Sequence, residues 1–449
     1  MSLPQKCLAR GGWALWLAAT AIPCVSLGVE YSASPSVMLQ ETYNDNIRLI
    51  NTPTDSVTGS ILAPRLNLAA RTATWQVGTD MHLRAARYRG IKGLDANSRT
   101  VNLFSQIQSE RNALQIGGGR ARDSILTGEI PDADTGLVKT QTFRITDSAN
   151  TSWTWSMTEK DQFKLGYQYA DVAYKDNVGD LYDYTQRGPN IMLSHRYSER
   201  SELYLQVNSS LFDIPKLGAS QLGQLSIAVP DGTSIRLLPN PRTLGLESTT
   251  NGIQIGTNYA FSQTLSGNLS LGRRKTTTDS LIETCKSSTA PTPGPVPDPN
   301  WYGICNRIDA NIVATVGRGT VYSLGLIKKA ERLQVNTRAE RAIDPSGSGV
   351  LVQRDTLSLN IERSETERLA YLFSARGDKI RVLEGATIFV DRNQYFIEPG
   401  LQWRITRDSR VNLSYQYRYL KYLSETETAH SNMVSLTYTQ AWQKSSISR

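Results

Sequence analysis

Histidine is nearly absent from this 449-residue chain, with three copies, and cysteine is scarce, with four. So few of either leaves no ligand set for a histidine-based metal site and no thiol framework, and no metal or cofactor is expected. Long apolar runs are missing too. Beyond residue 28 no stretch offers 18 consecutive apolar residues, so no membrane-crossing helix is expected there. The spacing of an amphipathic helix is also lacking. Phenylalanine is outnumbered by tyrosine, 8 to 20, with 8 tryptophans. The mean hydropathy of −0.36 resembles that of a soluble protein. A transmembrane β-barrel averages to the same value, because apolar lipid-facing residues alternate with polar lumen-facing ones.

The N-terminal residues 1–28 read as a secretory signal peptide. Lys6 and Arg10 form a basic start, residues 11–28 carry no charge, and Ser26 and Gly28 are small residues at the expected cleavage site. Loss of Lys6 and Arg10 takes the formal charge from +8 to +6. Cys7 and Cys24 leave with the segment, so Cys285 and Cys305 remain in an exported, disulfide-permitting compartment.

What the chain does contain is period-two alternation in stretches of about ten residues. Trp75, Val77, Thr79, Met81, Leu83 and Ala85 fall on one strand face, and Gln76, Gly78, Asp80, His82, Arg84 and Ala86 on the other. Val411, Leu413, Tyr415, Tyr417 and Tyr419 oppose Asn412, Ser414, Gln416 and Arg418 in the same way. Such segments begin near residues 36, 60, 73, 99, 112, 141, 161, 186, 201, 250, 263, 308, 319, 351, 367, 392, 409 and 431. Short polar turns are expected at 71–72, 158–161, 198–201, 364–367 and 406–409, and the other connections are longer. Trp153, Trp155, Tyr167, Tyr169, Tyr395, Trp403, Tyr415, Tyr417, Tyr419, Tyr438 and Trp442 fall mostly near those turns or near the C-terminus. An interfacial aromatic girdle would lie there. The expected fold is all-β: a transmembrane antiparallel up-and-down barrel of about 18 strands (16–18), with short periplasmic turns and long outer loops. Residues 29–442 form the barrel and 443–449 a C-terminal tail. A soluble sandwich or a propeller fits less well, since no blade repeat is visible.

About 18 strands enclose room for an aqueous channel. Strand parity turns Arg65, Arg71, Arg84, Lys164, Arg274, Arg376, Arg404 and Arg418 inward, with fewer acids, Asp80, Glu362 and Glu398. Basic rings favour anions; the plainer alternative is a wet polar wall whose cations pair with acids. Residues 213–251 are expected to be a long loop over the mouth or in the pore. Residues 276–307 are read as a proline-rich loop closed by a Cys285–Cys305 disulfide. His82, His195 and His430 assemble no recognisable catalytic arrangement, and Gly117-Gly118-Gly119 reads as close strand packing, so no enzyme is expected.

The segment ETYNDNIRL, containing Tyr43, Asn44, Asp45, Asn46 and Ile47, carries a resemblance, as do TSWTWSMTEKDQFKLGYQYADVAY (residues 151–174) and the turn YSERSEL. These resemble the outer-membrane β-barrels found with exopolysaccharide and PEP-CTERM/exosortase systems of Gram-negative bacteria. The resemblance implies a barrel in the outer membrane, among lipid and lipopolysaccharide. It also implies a part in exporting an extracellular polysaccharide, with an anionic polymer and periplasmic export components as partners. It supplies no catalytic residues, and nothing points to nucleic acid. Asn44, Asp45 and Asn46 suit either a bound cation or sugar, or an Asx-rich turn at a strand end. The alternative function is a general diffusion porin for small anionic solutes, or a closed structural or adhesion barrel.

Overall fold

In a computed structural model the structure describes residues 28–51, 56–125, 141–175, 181–215, 225–228, 234–238, 242–289, 303–345, 351–383, 391–423, 428–442 and 445–448. The signal segment lies outside them apart from Gly28. The described strands are β1 (Glu30–Asn44), β2 (Val57–Arg71), β3 (Trp75–Arg89), β4 (Ala96–Gln108), β5 (Asn112–Ser124), β6 (Phe143–Ser156) and β7 (Asp161–Tyr174). They continue with β8 (Tyr184–Ser198), β9 (Ser201–Ile214), β10 (Leu225–Ala228), β11 (Ser234–Leu238), β12 (Arg242–Ala260), β13 (Leu265–Thr289) and β14 (Gly303–Lys329). The last are β15 (Leu333–Pro345), β16 (Leu351–Ser364), β17 (Leu369–Val382), β18 (Arg392–Arg404), β19 (Ser409–Tyr422), β20 (Thr428–Ala441) and β21 (Ser445–Ser448).

Each of β1–β8 pairs antiparallel with its successor, β9 pairs with β12, and β12–β20 continue in chain order. β20 then pairs with β1 over Ser36↔Ala441 to Asn44↔Met433, which closes an 18-strand wall. Eight short turns lie on the rim that also carries the start of β1 and the end of β20. In seven of them a Ser or Thr hydroxyl accepts the N–H two or three residues on, as Thr158 does from Asp161 at 2.9 Å and Thr406 from Ser409 at 3.0 Å. That local bond takes up a turn N–H which the ladder leaves free.

The alternation sorts the wall into two faces. Outward positions hold the exposed apolar side chains, among them Leu83, Leu103, Leu205, Ile255, Leu271, Leu357 and Leu436. A continuous apolar belt facing solvent is the surface of a membrane-spanning barrel. Trp153, Trp155, Tyr259, Phe261, Trp403 and Trp442 stand exposed at its turn-side edge. Tyr395 and Tyr419, whose rings are 5.8 Å apart, mark the opposite edge. Among the described residues the buried apolar clusters lie on the loop side. Val172, Tyr174, Tyr184, Phe212 and Ile214 cluster there, and Leu351, five wall strands beyond β9, packs against the same group.

The structure corrects several expectations. The segments expected from 308 and from 319 are one strand, β14, and β15 starts at Leu333. The total of 18 survives because that split and the missed strand cancel. Short turns at 109–111, 261–264 and 330–332 add to the five expected. Within the stretches 213–251 and 276–307, expected to be loops, residues 213–214, 225–228, 234–238, 242–251, 276–289 and 303–307 are strand. β13 and β14 run for 25 and 27 residues, far past the 9–11 that a membrane requires. The β10–β11 hairpin joins β14 through Leu237↔Ile304 and so extends the wall sheet. In the tail, Ser445–Ser448 pairs with Glu30–Ala33.

The two faces make opposite demands. Ile255, 63% exposed, lies on the outer face of β12 about five residues from the turn. Ile255→Arg is expected to cost about 2–4 kcal/mol in vesicle-embedded barrel. Gln254→Arg, pointing inward, is expected to cost little. Guanidinium unfolding in lipid vesicles measures both.

Candidate functional site

Cross-strand register fixes which side chains face the lumen. Opposite partners share a face, so Arg65, opposite His82, lies on the same side as Asp80 and Arg84. On the same argument Arg71, Lys164, Arg274, Glu362, Arg376, Glu398, Arg404 and Arg418 are turned inward. Their surroundings differ. Arg65 forms a two-point ion pair with Asp80, one strand over. Arg376 pairs with Asp378 at 2.9 Å. The buried Asp378 also accepts from Thr356 at 2.6 Å and Gln394 at 3.0 Å, so its charge is fully engaged. Arg274 is buried, donates to Thr276 at 3.1 Å and lies over Gly319, where a Cβ would sit 2.9 Å from its guanidinium. Glu398 accepts from Gln416 at 3.2 Å. Arg404 stands opposite Arg410 at the turn rim.

A second set has no carboxylate. Arg71, Arg84, Lys164, Arg404, Arg410 and Arg418 make no ion pair among the described residues. Arg418 is only 8% exposed, and both it and Arg84 bury an Nε that finds no acceptor. Burying a guanidinium without a partner is expensive, so such groups are rarely incidental. The lumen also holds pairs that sequence parity did not single out, Arg144–Asp123 at 3.0 Å and Arg338–Glu340. A signal for the second kind was present, since Arg338-x-Glu340 and Arg376-x-Asp378 place opposite charges two residues apart on one face.

Another interior pattern needs register to be seen. Inward asparagines lie directly opposite glycines: Asn150 opposite Gly117, Asn190 opposite Gly166, Asn208 opposite Gly252 and Asn268 opposite Gly325. A methyl on Gly117 would come 2.7 Å from Asn150 Oδ1. Each glycine leaves a shallow gap across which the amide lies flat against the wall. Gly117 and Gly119 are thus packing positions.

The Tyr43–Ile47 segment sits at the closing seam. Asn46, 1% exposed, donates to Ile50 O at 2.6 Å and His430 O at 2.9 Å, and accepts from Ile50 N at 3.1 Å. Asn44 accepts from Asn46 N at 2.8 Å and Ser431 Oγ at 2.9 Å. Asp45 receives both the backbone N–H and the side-chain amide of Asn432, each at 2.7 Å. Tyr43 faces outward, and Ile47 packs with Val57 and Leu94. Of the two readings, the geometry has the Asx turn: these side chains clasp β1 and its following loop to β20.

The disulfide expected between Cys285 and Cys305 concerns side chains outside the described residues; along the backbone Cys285 stands opposite Ile308 and Cys305 opposite Ser288. Among the described residues no three His, Cys, Asp or Glu side chains gather to hold a metal. His195 Nδ1 is 2.7 Å from Asp161, but the nearby hydroxyl, Thr158, bonds the same Asp161 rather than the imidazole. The group caps a turn on the outer face and lacks the order hydroxyl–imidazole–carboxylate.

No family model and no curated protein matches this chain. Solved structures similar to it include a BenF-like porin from Pseudomonas fluorescens Pf-5, at 9% identity and TM-score 0.44, covering 91% of this chain and 99% of that one. OpdK of Pseudomonas aeruginosa with vanillate has 8% identity, TM-score 0.43 and coverages of 91% and 99%. The ferric-catecholate import receptor Fiu of E. coli K12 has 9% identity, TM-score 0.42 and coverages of 94% and 82%.

The clasp yields a prediction. Asn46→Ala removes three buried hydrogen bonds and is expected to destabilise the barrel by about 2–4 kcal/mol. A lower unfolding midpoint, with early loss of heat-modifiable gel mobility, is the expected result. Unchanged stability would show that the seam holds without it.

Proposed function

We propose that this protein is an outer-membrane diffusion channel for small anionic solutes. The carrying observation is the imbalance of lumen charge. Eight inward cations, Arg71, Arg84, Lys164, Arg196, Lys329, Arg404, Arg410 and Arg418, stand without an ion pair among the described residues. The inward acids in the same condition are Glu202, Glu362 and Glu398. Fixed positive charge on a water-filled wall raises the local concentration of anions and repels cations. The paired groups contribute shape more than field.

Export of an extracellular polysaccharide, implied by the sequence resemblance, is the less favoured reading. Leu351 meets the β7–β9 apolar cluster from five strands away, which narrows the loop side and suits small solutes better than a hydrated polymer. The reading is of a transport protein and not of an enzyme, since the described histidines lie in no nucleophile–base arrangement.

Zero-current potentials across a salt gradient in planar bilayers test the proposal, and anion preference is expected. Replacing Arg84 and Lys164 together by Glu moves each charge by two units. At the dielectric of water and roughly 8 Å from the ion path, each swap is worth about 1 kcal/mol to an anion and the opposite to a cation, or about fivefold in the local concentration of each. A barrel that passes no current, or whose potential ignores the swap, overturns it.

A further inference from the structure

The turn-side half of the lumen on β7, β8 and β9 carries a patch that the channel reading does not itself require. Three ladder rows define it. Gln162, Ser194 and Tyr204 stand side by side, then Lys164, Met192 and Gln206, then Gly166, Asn190 and Asn208. At the usual spacings of about 4.8 Å between strands and 3.3 Å per residue, the patch spans about 10 by 13 Å, the size of one or two sugar rings. Asn190 lies over Gly166 and Asn208 over Gly252, each amide taking the space of the missing side chain, so this row lies flat against the wall. Tyr204 lies over Gly256, which leaves one face of its ring toward the lumen. Farther along these same strands, beyond Gln168, Gln186 and Ser210, the lining changes to the apolar cluster of Val172, Tyr184 and Phe212.

These side chains are not occupied with one another. Lys164, Asn190, Tyr204 and Gln206 make no side-chain hydrogen bond or ion pair among the described residues. Asn208 buries its Oδ1 with no donor. The charge pairs lie elsewhere around the wall, on β2–β3, β5–β6, β15 and β17.

We propose that this patch binds hydroxylated carboxylates of the sugar-acid class, which rests on the channel reading and names the solute. The Asn190 and Gln206 amides each carry a donor and an acceptor in one plane, as adjacent ring hydroxyls require, and Asn208, whose Oδ1 is buried, adds its amide donor. Tyr204 offers an apolar face to the C–H side of a pyranose, while its hydroxyl stays polar. Lys164 is the patch's single charge, on a flexible stem that reaches a carboxylate beside the amides. A simple carboxylate lacks the hydroxyls and a neutral sugar lacks the charge, so each engages half of the patch.

Calorimetry on the detergent-folded barrel with sodium D-glucuronate as probe tests this without needing an open pore. Glucuronate is expected to bind more tightly than propionate or glucose. Asn190→Ala and Lys164→Gln are each expected to weaken it about fivefold or more, the worth of one hydrogen bond. In the unmutated protein, glucuronate should slow acylation of Lys164 by a water-soluble ester while propionate should not, a readout that needs no variant to fold. Equal binding of glucuronate and propionate, or variants that bind as before, overturns the sugar-acid site. Anion-selective conductance would survive that result, and a non-conducting barrel that still binds glucuronate would instead remove the channel.

Discussion

Closure of the sheet is the constraint from which the rest follows. In hydrocarbon no water is available for a free N–H or C=O, so a strand edge left open inside a bilayer is prohibitively costly. Here the first strand must find the last across almost the whole chain, and nine consecutive residue pairs join β1 to β20. A slip of one residue in that seam would turn apolar side chains into the lumen and polar ones into lipid. Asn44, Asp45 and Asn46 sit where the slip has to be prevented. Their bonds to Ser431, Asn432 and the His430 carbonyl tie the loop end of the seam to one register. At the other end Ser445–Ser448 continues the pairing along β1.

Once the seam is set, each strand divides its residues between two solvents. The outer face keeps apolar groups exposed and the ring-bearing residues near both edges. The inner face separates along the axis into three environments. The turn rim mixes cations such as Arg71, Arg404 and Arg410 with the acids Glu202 and Glu362, the next level mixes amides with bound charge pairs, and the loop side packs apolar groups. The polar groups between differ in cost. Asp378, with three donors around it, is satisfied in place, whereas Arg418 and Arg84 keep buried Nε atoms unpaired, which is tolerable where a passing anion or water supplies the acceptor.

Some of this was readable from the chain in order. The alternation over Trp75–Ala86 assigns β3 and its faces, because the pleat repeats every two residues regardless of what lies beside it. Turns such as Thr158–Asp161 were equally legible, since the hydroxyl bond that shapes them is local. β14 and β15 were not, because Gly317, Gly319 and Gly325 leave gaps in the apolar pattern and break one strand into two. The stretches around Pro215–Pro241 and beyond Thr276 carry loop-like composition, yet pairing with long neighbours draws much of them into strand. For the candidate site, the inward arginines could be named from parity, but not which of them Asp80 and Asp378 neutralise. The Asn–Gly contacts and the β7–β9 patch join residues that are distant in sequence, and no single strand displays them.

By itself, then, the sequence determined the class of structure, the approximate strand number and the side each residue takes. These depend on a period of two and on short-range turn bonds. The tertiary structure alone decided how the seam is registered, which charges cancel, where the lumen narrows and which amides become neighbours. Those features arise from cross-strand pairs about 5 Å apart in space and up to 418 residues apart in the chain, and their identity is set only when the cylinder closes.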